Sequence, residues 1–203
     1  MKIAVCAKQI PDPANPIEYS NGNVVRPDEQ VLDDTDRYGI EVALQLKEKY
    51  DAEVTVISMT KVGTEKGIQQ ALQMGPDKAL ILEDESLVGS NSLMTSNVLS
   101  ELAKKVDADI IIFGTESTDG YSGVVPQQVS RILNVPCIST DCHSGPKEIL
   151  LNGKGGYLAK VKSHNDLADK MIQSIKNYKI SLKKNSFAKK KLSKFLIKKN
   201  SQI

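Results

Sequence analysis

Cysteine and histidine are scarce in this sequence, and long apolar runs are missing altogether. The three cysteines among 203 residues, Cys6, Cys137 and Cys142, form an odd set without zinc-finger spacing. That speaks against a disulfide framework and leaves free thiols as the expectation. Adjacent Cys142 and His143 would not both turn to one ion without ligands from elsewhere, so no metal site is expected. His143 and His164 are the only histidines, and no nucleophile is arranged beside either, so hydrolase chemistry and catalytic residues are not expected. No run of eighteen apolar residues, the length a membrane-crossing helix needs, occurs in the sequence. Met1 leads directly into a short β-rich run with no charged region and signal core, which predicts a cytoplasmic protein. Neither G-x-G-x-x-G nor G-x-x-x-x-G-K-[ST] occurs, which removes the ordinary dinucleotide and P-loop assignments.

Arginine is missing from residues 143 to 203, and with that absence comes a break in charge. Residues 1 to 142 carry 12 Lys+Arg against 22 Asp+Glu, whereas 143 to 203 carry 15 lysines against 3 acidic residues. Such a change predicts an α/β domain over 1–142 and a Lys-rich extension, partly helical or disordered, over 143–203. The 40% hydrophobic content suffices for a core in the first part.

What the first part does have is two alternating periods. Short β-rich runs at Ile3 to Ala7, Val54 to Ser58, Ala79 to Leu82 and Ile110 to Phe113, with a fifth around Pro136 to Ser139, are separated by helical patterns. The first helix is marked by Ile40, Ala43 and Leu44, with capping candidates at Asp33, Asp34 and Thr35. The second carries Ile68, Ala71 and Leu72 and stops at Gly75. The third carries Val98, Leu99, Leu102 and Ala103 after a polar entry, and the fourth Val125, Val129, Ile132 and Leu133. This alternation predicts an open parallel sheet with helices on both faces and right-handed crossovers. Between the first strand and first helix, Ser20-Asn21-Gly22-Asn23 predicts a hairpin.

In such sheets ligands bind beyond the carboxyl ends of the strands, where strand order reverses. The stretch GTESTDGYSGVVPQQ, Gly114 to Gln128, begins at such an end. Gly120 and Gly123 let backbone approach a ligand, the hydroxyls of Thr115, Ser117, Thr118 and Ser122 can hold phosphate or ribose, and the following helix favours an anion. The alternative reading is a plain Asp119-Gly120 turn before a capped helix.

The segments IAVCAKQIPDP, LDDTDRYGIEVALQLKE, ALQMGPDKALIL and GTESTDGYSGVVPQ, in this order and at these separations, resemble the β subunit of electron transfer flavoprotein over roughly residues 1 to 140. The resemblance implies a Rossmann-like nucleotide-binding domain in a heterodimer with an α subunit that holds most of a shared FAD, and a structural AMP, or a second FAD in its place, in the β chain. It implies a carrier with no bond-making chemistry of its own. Electrons come from flavoprotein dehydrogenases, such as acyl-CoA dehydrogenase, and go to a quinone reductase. It places the nucleotide against Cys6 and Ala7, Asp33, Asp34, Thr35 and Asp36, Met59, and the stretch Gly114 to Val125, in which Thr115, Ser117, Thr118, Asp119, Gly120, Ser122, Gly123 and Val124 fall. Lys8, Asp12 and Pro13 would approach the flavin. Asp119 also reads as a structural cap, because an unpaired carboxylate beside phosphate is repelled unless a cation or donor intervenes. Cys6 reads as a small buried hydrophobe.

Departures accompany the match. Many relatives have Asn-Pro near Asp33 to Thr35 and an amide side chain where this chain has Ser122-Gly123-Val124-Val125. From about Asp141 the acidic hairpin and the docking segment of the family are not recognisable. Here LNGKGGYLAK predicts a glycine turn between short strands. Asn165 and Asp166 predict a helix start ahead of Leu167, Ala168, Met171, Ile172, Ile175 and Tyr178, and Leu192, Phe195 and Leu196 repeat the spacing. A basic amphipathic helix can lie on an anionic membrane or bind nucleic acid, although no nucleic-acid partner is expected for this chain. A solvated extension or a shifted reading frame also accounts for the composition. The alternative to the carrier is therefore a truncated or frameshifted nucleotide-binding module without electron-transfer activity.

Overall fold

A computed structural model describes residues 1–20, 22–143 and 145–192, and the expected spacing of Phe195 and Leu196 lies outside them. The chain divides into two compact units, one ending at Val129 and one beginning at Ser130, ahead of the charge break near Cys142.

The first unit is built on β1 (Lys2–Cys6), followed by β2 (Gln9–Pro11), the hairpin β3 (Tyr19–Ser20) and β4 (Asn23–Val24), and β5 (Gln30–Leu32). Then come α1 (Asp34–Tyr50), β6 (Glu53–Thr60), α2 (Lys66–Gln73), β7 (Lys78–Glu83), α3 (Ser92–Val106), β8 (Ile110–Ile112) and α4 (Val125–Leu133), the last crossing the boundary. The sheet is parallel, in the order β7-β6-β1-β8. The expected fold class is thus what the chain adopts. The sheet has four strands, not five.

Sequence explains the placement of the strands. Ile3, Val5, Val54 and Val56 are completely buried, as a parallel strand covered on both faces requires. Ile40 and Ala43 of α1 and Ile68 and Ala71 of α2 pack into the same core. Strand order advances from β1 through β6 to β7, then returns past β1 to β8. With right-handed crossovers, that reversal puts α3 on the face opposite α1 and α2. It also opens a crevice between the carboxyl ends of β1 and β8.

The expected hairpin forms, with Tyr19 opposite Val24. An unexpected antiparallel pair, β2 with β5, closes the insertion at its base, with Ile10 opposite Val31. Gln9 ties this pair to α2, because its buried side chain accepts from the Gly67 and Ile68 amides at 2.6 and 3.2 Å and donates to the Thr64 carbonyl.

The second unit contains β9 (Ile138–Thr140), α5 (Pro146–Ile149), β10 (Tyr157–Ala159), α6 (His164–Lys176) and α7 (Tyr178–Leu192). The anticipated fifth strand is β9, which runs parallel to β10. The glycine-rich turn falls between α5 and β10. Helix α6 begins one step before Asn165. Ser163 is its cap, accepting from the Asp166 amide at 3.2 Å, so Asn165 and Asp166 lie in the first turn. The lysine-rich segment carries specific packing. The Tyr157 hydroxyl meets Ser181 Oγ at 2.8 Å, and Asn185 Nδ2 donates to the carbonyls of Ser130 and Val135 at 3.1 and 3.2 Å. Lys184 donates to the carbonyls of Gly153 and Gly156 and lies 4.8 Å from the Tyr157 ring centre. Tyr157, Ser181 and Asn185 are buried, so these polar groups are partnered as burial demands.

Candidate functional site

A cleft of about 770 Å³ occupies the switch point of the first unit. This volume lies within the range of small-molecule sites, roughly 300–1,000 Å³. Four of the stretches singled out in the sequence reach it. The end of β1 brings Cys6, Ala7 and Lys8; α1 and the end of β6 bring Asp36 and Met59; the loop after β8 brings Gly114, Thr115, Ser117, Gly120, Ser122, Gly123 and Val125.

The remaining predicted residues lie away from the wall. Asp33 is fully buried and caps α1, with Oδ1 accepting from the Thr35 amide at 3.0 Å and its hydroxyl at 2.9 Å. Its Oδ2 accepts from the Thr118 amide at 2.7 Å and hydroxyl at 3.2 Å. One carboxylate thereby clamps the loop after β8 to the start of α1. Thr35 adds a contact 3.1 Å from the Glu116 carbonyl oxygen. Asp34 is exposed and pairs with Arg37 at 3.0 Å. Asp12 accepts from the Ala14 amide at 2.9 Å in a local turn, and Pro13 and Val124 do not line the cleft.

Asp119 is a buried carboxylate with two cations on it. Lys8 Nζ donates to Oδ1 at 2.5 Å and Arg26 to Oδ2 at 2.6 Å. Burial raises the Asp119 carboxyl, but Lys8, Arg26 and Ser117 outweigh it and hold it below the usual carboxylate value. The intervening cation that the position requires is therefore present twice. Arg26, at the end of the hairpin insertion, carries no sequence signal. It stands 93 residues from its partner, and only the closure of the insertion by β2 and β5 brings it back.

Asp36 lies in the cleft with the opposite environment. Burial pushes its carboxyl up from 3.8 to about 7, and Asp33 adds to the rise; the Lys8 amide at 2.7 Å, the Gly114 amide and the Lys8 charge oppose it. Cys6, buried beside it, has a thiol raised well above its ordinary value by burial and by Asp36. It is inert as a nucleophile, in keeping with a small buried hydrophobe. Because the folded-state value of Asp36 is raised, its stabilising contribution is fully present below pH 3.8 and is lost as pH rises through about 7. Urea unfolding at pH 5 and pH 8 is expected to show wild-type stability falling with pH, by at most about 4 kcal/mol over the full titration. Asp36→Asn is expected to flatten the slope.

The glycines of the loop do different things. A Cβ on Gly114 would lie 2.6 Å from Asp36 Oδ1 and 3.0 Å from Thr35 Oγ1, so its smallness serves the packing of α1 against the loop. A Cβ on Gly120 would meet nothing nearer than Ser117 Oγ at 3.7 Å, which leaves its backbone open to a ligand. Gly123 has φ +59°, a conformation glycine adopts without cost. Hydroxyls, open backbone and half-exposed Lys8 and Arg26 together fit the sugar and phosphate of a nucleotide.

An open parallel α/β sheet with a cleft at its switch point, bearing Lys8 and Arg26, is of the Rossmann-like class, in which ligands bind at that end of the sheet. The electron transfer flavoprotein domain model matches residues 22–143. Over 141 residues the chain is 34% identical to the electron transfer flavoprotein subunit beta of Clostridium acetobutylicum, covering 68% of this chain and 54% of that one. The subunit beta of Mycobacterium tuberculosis (strain ATCC 25618 / H37Rv) is 33% identical over 143 residues, 66% of this chain and 54% of that one. Protein FixA of Sinorhizobium fredii is 30% identical over 142 residues, 66% and 50%. The chain belongs to the electron transfer flavoprotein family, and it spans about half the length of these curated relatives. A second model, glycosyl transferases group 1, matches residues 98–191 and overlaps the first over 98–143.

Proposed function

We propose that this chain is the β subunit of an electron transfer flavoprotein and holds an adenine nucleotide, AMP or the corresponding part of a second FAD, in the cleft between β1 and β8. The observation that carries the reading is convergence. Residues expected from four separate stretches of sequence line one cleft, in a chain of this family. The flavin shared with an α subunit supplies the electron storage. The residues of this chain bind and orient. Lys8, with Asp12 and Pro13 further along the same segment, is the part assigned to the flavin side. Thr115, Ser117, Ser122 and the open backbone at Gly120 are assigned to the nucleotide, while Asp33 and Thr118 hold the loop in place. Dehydrogenases that donate electrons and a quinone reductase that receives them complete the proposed circuit. Its setting is cytoplasmic, and among the described residues no helix is long and apolar enough to cross a membrane.

The second unit supports a genuine folded segment over a frame-shifted run. A family model over residues 98–191 runs through it, and the buried side chains of Tyr157, Ser181 and Asn185 are partnered. Out-of-frame sequence has no reason to do either.

Co-expression with an α subunit, followed by co-purification and an absorbance spectrum, tests the carrier reading. A one-to-one complex with bound yellow flavin is expected. A folded β chain that neither pairs nor retains flavin would sink the reading.

A further inference from the structure

We infer that Arg26, delivered by the hairpin insertion, binds the 5′-phosphate of the adenosine moiety in the cleft, with Asp119 acting as the buried anchor that aims it. The inference rests on the nucleotide reading of the cleft and adds to it a residue that neither the family motifs nor the loop after β8 contains.

Asp119 is one carboxylate, its side chain only 2% exposed, and two cations share it. Within this three-residue cluster the two cations exceed the single carboxylate by one charge, while the carboxylates of Asp36, Asp84 and Glu116 line the cleft outside it. Donor capacity points the same way. Lys8 Nζ has three hydrogens and already serves Asp119 at 2.5 Å and Ser117 Oγ at 3.1 Å. Arg26 has five N–H groups, and one nitrogen contacts Asp119 at 2.6 Å. Its side chain remains 41% exposed, and the residue lines the cleft. A guanidinium fixed at one edge and open at the other suits the planar, paired acceptors of a phosphate. The cleft's other cation, Lys61, is occupied by Asp28 at 2.5 Å.

Position supports the assignment. Ser117 and Gly120, whose backbone is open, flank Asp119 in the chain, so Arg26 stands over the part of the loop assigned to the sugar and phosphate. Losing Arg26 leaves Asp119 paired with Lys8, so Arg26→Gln removes the phosphate contact without stranding a buried charge. Arg26→Lys restores charge without the fork. Arg37→Gln, at the exposed pair with Asp34, is the control.

Titration calorimetry of the full chain with AMP, adenosine and FAD, after removal of any co-purified nucleotide, provides the test, with circular dichroism melts to verify folding. Wild type is expected to bind AMP more tightly than adenosine. Arg26→Gln is expected to weaken AMP by roughly tenfold or more while leaving adenosine unchanged, with Arg26→Lys intermediate. If FAD binds more tightly than AMP and loses affinity likewise, the same phosphate contact serves the dinucleotide. Unchanged AMP affinity in folded Arg26→Gln, or equal losses for AMP and adenosine, overturns the role of Arg26 and leaves the nucleotide site standing. Failure of the folded wild type to bind any of the three overturns both.

Discussion

Asp33→Ala is expected to destabilise the protein by about 3 kcal/mol or more, well beyond the ~1 kcal/mol typical of a lost helix cap. The reason is the number of donors left behind. Both carboxylate oxygens of a fully buried side chain are engaged, Oδ1 by Thr35 and Oδ2 by Thr118, and each threonine contributes both its amide and its hydroxyl. Removing a buried acceptor costs the desolvation of each donor that finds no other partner, roughly 1–3 kcal/mol apiece. Thr35 Oγ1 has the Glu116 carbonyl 3.1 Å away as a substitute, whereas the Thr118 amide loses its 2.7 Å acceptor. The loop after β8 should then loosen before the sheet does. Urea unfolding gives the global loss. Amide hydrogen exchange at Thr118 and its neighbours should accelerate more than exchange in β1 and β6, and uniform acceleration would mean that the clamp has no local role. Asp33→Asn retains one acceptor oxygen and is expected to lose less.

This clamp also shows what was legible in the sequence. The alternation of β-rich runs with helical patterns is a local property, and it marked the four strands of the sheet, their parallel sense and the end at which the cleft opens. The capping role of Asp33 was readable for the same reason, since a cap is defined by its immediate neighbours. Its second bond, to Thr118, joins positions 85 residues apart and leaves no local trace. The pairing of Lys8 and Arg26 on Asp119 is of the same kind. Chemical reasoning required a cation near a buried Asp119, yet only the closing of the insertion by β2 and β5 selects Arg26. Those strands have three residues each, too few for a period to emerge. In the second unit the lysine-rich composition concealed Ser174, Ser181 and Asn185, which turn inward. A binary reading of polar and apolar residues does not anticipate buried polar contacts of this sort.

Gly67 carries the other large effect, and intrinsic propensity predicts the wrong sign for it. Gly67 lies in α2, where Ala is ordinarily favoured over Gly by about 1 kcal/mol. Here a Cβ would lie 2.8 Å from the Leu32 nitrogen and the Val31 carbonyl carbon, and 2.9 Å from Gln9 Cγ. Two of these three are backbone atoms of β5, which rotamer changes cannot move. The helix must retreat from the strand, and retreat lengthens the 2.6 Å bond from the Gly67 amide to Gln9 and the 2.9 Å bond from the Leu32 amide to Gln70. Ile68 and Ala71, on the buried face of α2, would be drawn from the core with it. Overpacking of this sort costs typically 1–3 kcal/mol, and the strained hydrogen bonds add to it, so Gly67→Ala is expected to lose about 2–4 kcal/mol net of the propensity gain. Denaturant unfolding of Gly67→Ala beside Gln73→Ala, at the end of the same helix, measures the difference. Equal stability of the two would show that α2 is not held against β5 at this distance. Because β5 leads directly into Asp33, a displaced α2 should also weaken nucleotide binding in the folded variant, linking a helix remote from the cleft to the loop that lines it.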